Sequence, residues 1–300
     1  MKRILRLLTL LMALMLPVVH ALAFEPLPYE MAAAPYEPHQ DCYLPDNGGY
    51  HDDSLDIRVE TFRRNDTTVM AVYVTIADAS QLRTGTCAPN KPMSQSTQTA
   101  DRIAKRYNAV LAINGDYFTY ENSKKGVIVR NGEWLRTNYA WERQTLIIDA
   151  NGDFSIIPTT EEAFAAFEGE IVHAFWFGPG LVVDGERISD QAIEDLKMNL
   201  GKGKKTQRIV LAQMGPLSYL ILTCEGPENP GSVGFTIAEM ADLCLEMGCI
   251  NAYNLDGGSS SSVALNYQKI NALSSHKNRP VADIIYFCTL VPPEEEGGAT

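Results

Sequence analysis

Two segments of this chain follow one grammar: an amphipathic helix, a short apolar run, then Asn-x-Asp. In the first, Ala100, Ile103, Ala104 and Tyr107 fall at i, i+3, i+4 and i+7, the spacing of one helical face. Ala109-Val110-Leu111-Ala112-Ile113 follows as a buried strand that stops at Asn114-Gly115-Asp116. In the second, Thr236 with Glu239 makes a capping box, Ile237, Met240, Ala241 and Cys244 form the apolar stripe, and Gly248 ends the helix. Cys249 to Leu255 reads as the next strand, which stops at Asn254-Leu255-Asp256 with Gly257-Gly258 and Ser259 to Ser262 behind it. Residues two apart on an extended chain share a face, so each ending presents a carboxamide beside a carboxylate. Central strand ends of open α/β sheets are where ligands bind, so the two endings are expected to converge on one pocket. Either ending alone would serve equally as a turn that closes a strand.

Further strands are expected at Val69 to Ile76, Gly126 to Val129 before an Asn131-Gly132 turn, and Trp141 to Asp149. Others are expected at Leu181 to Val183 before Asp184-Gly185, Arg208 to Ala212, Tyr219 to Thr223 and Val281 to Phe287, with a loop over Thr84 to Gln98. Strands outnumber helices, which predicts an α+β fold: a single domain with a mixed β-sheet core flanked by a few helices. Its expected bounds are 48–290. The segment 24–47, with Pro26, Pro28, Pro35, Pro38 and Pro45 and no apolar period, reads as a proline-rich tether, and 291–300, with Pro292-Pro293 and three glutamates, as a flexible tail.

Lys2, Arg3 and Arg6 precede an apolar run from Leu7 to Val19, and Ala21-Leu22-Ala23 is a small-residue cleavage pattern. Residues 1–23 therefore read as a signal peptide, which places the mature chain outside the cytoplasm, secreted or in the cell envelope, with no membrane span after cleavage. The 300 residues carry 25 Lys+Arg against 37 Asp+Glu, a net charge of -12 that offers phosphate backbones little to hold, so nucleic acid is set aside as a partner. Six cysteines, Cys42, Cys87, Cys224, Cys244, Cys249 and Cys288, lie in the exported part, where at least one disulfide is expected. Cys244 and Cys249 are close in sequence, but a helix end lies between them, so that bond is not the expected one. With no C-x-x-C and five scattered histidines, a zinc site is not expected, and no cofactor is called for.

Asp256 is the leading catalytic candidate, since the two glycines behind it let a substrate approach the backbone and a carboxylate there can act as base or nucleophile. Gly257, Gly258, Ser259 and Ser260 offer N–H groups and hydroxyls of the kind that cradle phosphate oxygens. Arg208, in the apolar run Arg208 to Ala212, suits bidentate phosphate recognition or a structural ion pair; Arg279 poses the same choice, as do His276 and Lys277. Lys202, Lys204 and Lys205 read as a solvated loop. Serine-hydrolase, zincin and EF-hand signatures are absent from the sequence.

Taken in order, six stretches resemble the secreted phosphodiester glycosidases, whose animal members are lysosomal uncovering enzymes and whose bacterial members are often labelled exopolysaccharide-related. They are Ala112 to Phe118, Gly126 to Gly132, Phe177 to Val182, Gly234-Phe235-Thr236 with the capped helix, Asn254 to Ser260, and Arg279 to Asp283, within residues 70 to 288. The resemblance implies a glycan or sugar-phosphodiester substrate, release of the sugar and a phosphomonoester left on the other partner. It implies Asp256 as nucleophile or base, and Asn114 and Asp116 on sugar hydroxyls or the attacking water. Arg208 and Arg279 would hold the phosphate, with Asn254 and the Gly257 to Ser260 loop as further contacts. A catalytically silent glycan-binding protein and a phosphodiesterase cutting the P–O bond are the alternatives. Two positions depart from the family pattern: Arg208-Ile209-Val210-Leu211-Ala212 stands where Arg-Thr-Ala-Ile-Gly is usual, and Ser259 where a third glycine commonly follows Asp-Gly-Gly.

Overall fold

The computed structural model describes residues 24–293 apart from 32, 95, 117–124, 141–142, 197–200, 202 and 275–276. The expected signal peptide, Tyr117-Phe118, Trp141, Lys202, His276 and the tail from Glu294 onward thus lie outside the described residues.

Among the described residues the strands form three sheets, and every pairing in them is antiparallel. The largest runs Tyr43–Leu44, Gly49–His51, Leu55–Arg64, Thr67–Ile76, Ser218–Cys224, Arg208–Gly215, Asn251–Asn254, Gly180–Val183, Glu186–Arg187. A second runs Phe154–Pro158, Gln144–Asp149, Ile171–Phe175, Gly126–Arg130, Glu133–Asn138. The third runs Gln268–Lys269, Val263–Leu265, Leu111–Asn114, Asp283–Phe287, Leu82–Thr86. The α+β expectation holds in its coarse form, a β-rich body with a few helices, but the sheets are not mixed. Tight turns account for four of these pairings. Parallel neighbours need a long crossover, whereas Asn65-Asp66, Asn131-Gly132, Asp184-Gly185 and Asn266-Tyr267 all take positive φ at both positions, the type I′ turn that returns a strand antiparallel to its neighbour.

One core lies where the three sheets face each other and joins Ile57, Val72 and Ile209 to Leu146 and Phe175 and to Ile113 and Phe287. The run Ile209 to Ala212 is apolar throughout because both of its faces are covered. Ile209 and Leu211 enter that core, while Val210 and Ala212 share a second cluster with Ile237, Met240 and Cys244 of the helix Ile237–Glu246. This helix starts with the expected capping box: Thr236 Oγ1 accepts from Glu239 N at 3.1 Å and Glu239 Oε2 from Thr236 N at 2.9 Å. The helix Ala100–Arg106 covers the third sheet in the same way, its Ile103 and Ala104 clustered with Ala112 and Ile284.

Two expectations need correction. The segment 24–47 is fastened to the body: Arg83 Nη2 donates to the carbonyls of Pro28 and Tyr29 at 3.0 and 3.3 Å, Ala34 is buried, and Tyr43–Leu44 pairs with Gly49–His51. Proline keeps Pro28 and its neighbours out of helix and ladder but leaves their carbonyls free to accept, and a buried arginine collects them. The expected loop from Thr84 begins as a strand, because Leu82–Thr86 pairs with Asp283–Phe287. The six cysteines are free thiols in this structure, and the five buried ones pack as small apolar side chains, Cys224, Cys244 and Cys249 in one cluster and Cys87 and Cys288 in another.

Candidate active site

The two Asn-x-Asp endings do meet, although they belong to different antiparallel sheets and not to one parallel sheet. Asn114 makes the junction. Its Nδ2 donates to the carbonyls of Asp256 and Gly115, both at 3.0 Å, and its Oδ1 accepts from Ser262 N at 3.0 Å. A carboxamide so engaged with backbone positions the Asp256 loop, and the same side chain borders the smaller cavity beside Asp256.

Asp256 stands where two cavities adjoin. One, of about 310 Å³, is lined by Arg143, Arg208, Asn254 and Gly257; the other, of about 260 Å³, by Asn114, Asp116, Ser260 and Pro280; Asp256 and Arg279 line both. Burial pushes the Asp256 carboxyl above the usual carboxylate range, a hydrogen bond from Ser260 and the charge of Arg279 draw it back, Asp116 adds to the rise and Arg143 opposes it. A carboxylate poised in this way, facing cations across a cavity, is suited to take a proton or attack an electron-poor carbon.

The glycines behind Asp256 serve packing. A Cβ on Gly257 would lie 2.7 Å from the Gln207 carbonyl, and Gly258 takes φ +56° while its N–H donates to the same carbonyl at 2.8 Å. The Gly258 N–H is therefore not a phosphate donor. Ser259 has no positive φ, so a side chain is tolerated where the family commonly has glycine, and it lines a neighbouring cavity of about 480 Å³ with Lys277 and Arg279. Lys269 holds the serine run from beneath, donating to Ser261 O and, at 2.9 Å, to Ser262 Oγ; burial lowers its ammonium to about 8.

Asp116 belongs to a buried charge cluster that forms one wall. Arg130 reaches Asp116 Oδ1 through Nη2 at 3.0 Å and Asp283 Oδ2 through Nε at 2.8 Å, and none of the three side chains is more than 3% exposed. The guanidinium also lies 4.1 Å from the Phe175 ring centroid, and Asp116 Oδ2 accepts from Trp176 N at 2.7 Å. Two carboxylates on one guanidinium leave a net negative charge in a dry site, and burial pushes Asp283 up against the pull of Arg130. Gly115 makes room for the arrangement, since a Cβ there would sit 2.3 Å from Asp283 Oδ1. Asp116 therefore lines the smaller cavity and shapes the field around Asp256.

Asn254 lines the larger cavity. Its Nδ2 donates to Gly178 O at 2.9 Å, which fixes the amide orientation, and its Oδ1 is buried without a partner among the described residues. Arg208 lines the larger cavity, but its Nε donates to Phe235 O at 3.0 Å and its Nη2 to Gly201 O and Lys204 O at 2.9 and 3.0 Å. Those nitrogens pin the 201–206 loop, so the structural reading of this arginine gains weight. Arg208→Lys, which keeps the charge and loses the fork, is expected to lower stability by about 1–3 kcal/mol, read by thermal unfolding. An unchanged midpoint with a weakened affinity for phosphodiester would return Arg208 to the site. Ile209, the departure beside it, is fully buried in the central core and touches neither cavity at Asp256.

Sequence reasoning missed Arg143. Its guanidinium lies 4.4 Å from the Trp176 ring centroid and lines the larger cavity with Arg279 and Asp256. No motif marks Arg143; only its position just before the strand Gln144–Asp149 hints at a strand-end residue. Arg130 and Asp283 lie within quoted stretches, yet pattern alone gives no sign that they pair.

A family model for phosphodiester glycosidase (NAGPA) matches residues 107–288, a span holding Asn114, Asp116, Arg130, Arg143, Arg208, Asp256 and Arg279. The chain belongs to the phosphodiester glycosidase family. A relative is the SPbeta prophage-derived uncharacterized protein YomE of Bacillus subtilis (strain 168), 27% identical over 204 residues that cover 66% of this chain and 30% of that protein. The chain thus spans less than a third of that relative's length. Among solved structures, the zebrafish N-acetylglucosamine-1-phosphodiester alpha-N-acetylglucosaminidase catalytic domain, auto-inhibited by its pro-peptide, superposes with a TM-score of 0.65 at 16% identity, over 88% of this chain and 97% of that one. A putative exported protein from Burkholderia pseudomallei K96243 gives 0.52 at 14% identity over 74% of each chain. At such identities the structural likeness speaks for the fold alone.

Proposed function

We propose that this phosphodiester glycosidase family member is an exported hydrolase that frees a sugar from a sugar-1-phosphodiester and leaves a phosphomonoester on the other partner. The observation that carries the reading is Asp256, an ionisable carboxylate at the junction of two cavities that share Arg279. A phosphate already leaves readily from an anomeric carbon, so the reaction needs a carboxylate near the developing oxocarbenium more than it needs a strong acid. Asp256 supplies that charge as nucleophile or as base toward water. Arg143 and Arg279 hold the phosphate and stabilise the charge it takes on leaving. The unpartnered Asn254 Oδ1 accepts from a sugar hydroxyl, and Asn114 and the Asp116–Arg130–Asp283 cluster keep the loop and wall in place. The basic and apolar start of the sequence supports export. No helix among the described residues is long and apolar enough to cross a membrane.

A panel of sugar-1-phosphodiesters incubated with the full chain, with and without a chelator, tests the proposal by mass spectrometry of products. Free sugar with a phosphomonoester, insensitive to chelation, is the expected outcome. Sugar-1-phosphate as product makes the protein a P–O phosphodiesterase, and saturable binding without product makes it a glycan-binding protein.

A further inference from the structure

We propose that Cys244 and Cys249 form a built disulfide site, closed by thiol–disulfide exchange with a small disulfide oxidant, which staples the end of the helix Ile237–Glu246 to the approach of the strand Asn251–Asn254. The helix ends in a Schellman motif: Gly248 takes φ +81° and donates to Leu245 O at 2.9 Å, and Cys249 N donates to Cys244 O at 3.0 Å. That six-to-one bond folds the chain so that the side chains of its two end residues touch, a contact that is ordinarily apolar. Here both are cysteines, buried at 0% and 3% exposure and packed in the same apolar cluster. The helix end that separates them in sequence is therefore what joins them in space, against the sequence expectation.

The other buried thiols are arranged differently. Cys224 Sγ is directed at Thr206 O at 3.5 Å and Cys288 Sγ at Gln81 O at 3.6 Å, each at a backbone carbonyl. Cys244 and Cys249 instead sit at the two ends of one six-to-one backbone bond within a single apolar cluster. Contact with Cys249 and burial push the Cys244 thiol well up, so thiolate is scarce in the folded protein and the bond is made while the chain folds. In the step, one cysteine thiolate attacks a sulfur of the oxidant and expels a thiol; the second cysteine then attacks the mixed disulfide and expels another. Two cysteine protons are lost, one S–S bond forms, and the oxidant is reduced to two thiols.

Glu246 lies between the two cysteines, which makes the test direct. The full chain is unfolded under reductant, refolded with or without glutathione disulfide, then denatured, alkylated without reduction and cut by a Glu-specific protease. Oxidative refolding should leave two fewer alkylated thiols, and the peptides on either side of Glu246 should travel as one species that separates on reduction. The oxidised protein should melt higher than the reduced one, by a modest shift because the closed loop is short, and Cys249→Ser should lose that shift. Complete alkylation of both cysteines after oxidative refolding, or linkage of either to Cys224, overturns the proposal. If Cys249→Ser fails to fold, the peptide map of the unaltered chain decides alone.

Discussion

Asp256→Asn should lower sugar release from a sugar-1-phosphodiester by on the order of a thousandfold, the scale of a lost base or nucleophile, while leaving substrate affinity largely intact. The substitution keeps the shape and most hydrogen bonding and removes the charge facing Arg279. Its effect on stability should run the other way. The folded environment raises the Asp256 pKa, so ionisation is less favourable in the folded chain than in the unfolded one. The group's contribution to stability is then greatest below the unfolded pKa and is lost as pH rises through the folded value. At neutral pH the asparagine variant should melt no lower than the parent, and any advantage should fade as the pH falls below the carboxylate range. For the same reason the acid limb of the parent's kcat/KM profile should lie above that of an ordinary carboxylate. Turnover and melting measured on one sample across pH check all three points. Near-parental turnover by a folded Asp256→Asn protein would remove this carboxylate from the chemistry and make Asp116 the next to test.

The second large effect concerns the wall. Arg130→Met keeps bulk against Phe175 but strands Asp116 and Asp283, both buried, without their shared cation. Removing one partner of a buried ion pair costs about 3–5 kcal/mol, and two carboxylates depend on this one. The loss should be partly recovered in acid, because a stranded buried carboxylate has its pKa raised and becomes harmless once protonated; stability should fall again as pH rises. Chemical denaturation of parent and variant across pH reads this directly. A variant with an unaltered midpoint at neutral pH would mean that the cluster contributes no net stability.

Much of the scaffold was legible because local rules and tertiary demands agree. The capping box at Thr236 and Glu239, the Asn131-Gly132 and Asp184-Gly185 turns and the doubly covered run Ile209 to Ala212 are all where sequence places them. The hairpins at Asn65-Asp66 and Asn266-Tyr267 were harder, since neither has the glycine that usually announces a type I′ turn. The long strand Leu55–Arg64, with Leu55, Ile57 and Val59 inward, has an alternating start that its charged second half obscures. At the site, Asn-x-Asp identifies the residues that meet but not what each does there. Asn114 and Arg208 carry groups equally fit for ligand or backbone, and only the positions of carbonyls remote in sequence, such as Asp256 O and Phe235 O, decide between them. Arg143 depends on stacking with Trp176, a contact between neighbouring strand ends that no sequence period encodes.

The central claim, that the bond broken joins the anomeric carbon to the phosphate oxygen, is tested most directly by running the reaction in water enriched in oxygen-18 and locating the label in the products. The account predicts label in the freed sugar and none in the phosphomonoester, with Asp256→Asn giving neither product. Label in the phosphate and none in the sugar would mean that phosphorus is attacked, and would contradict it.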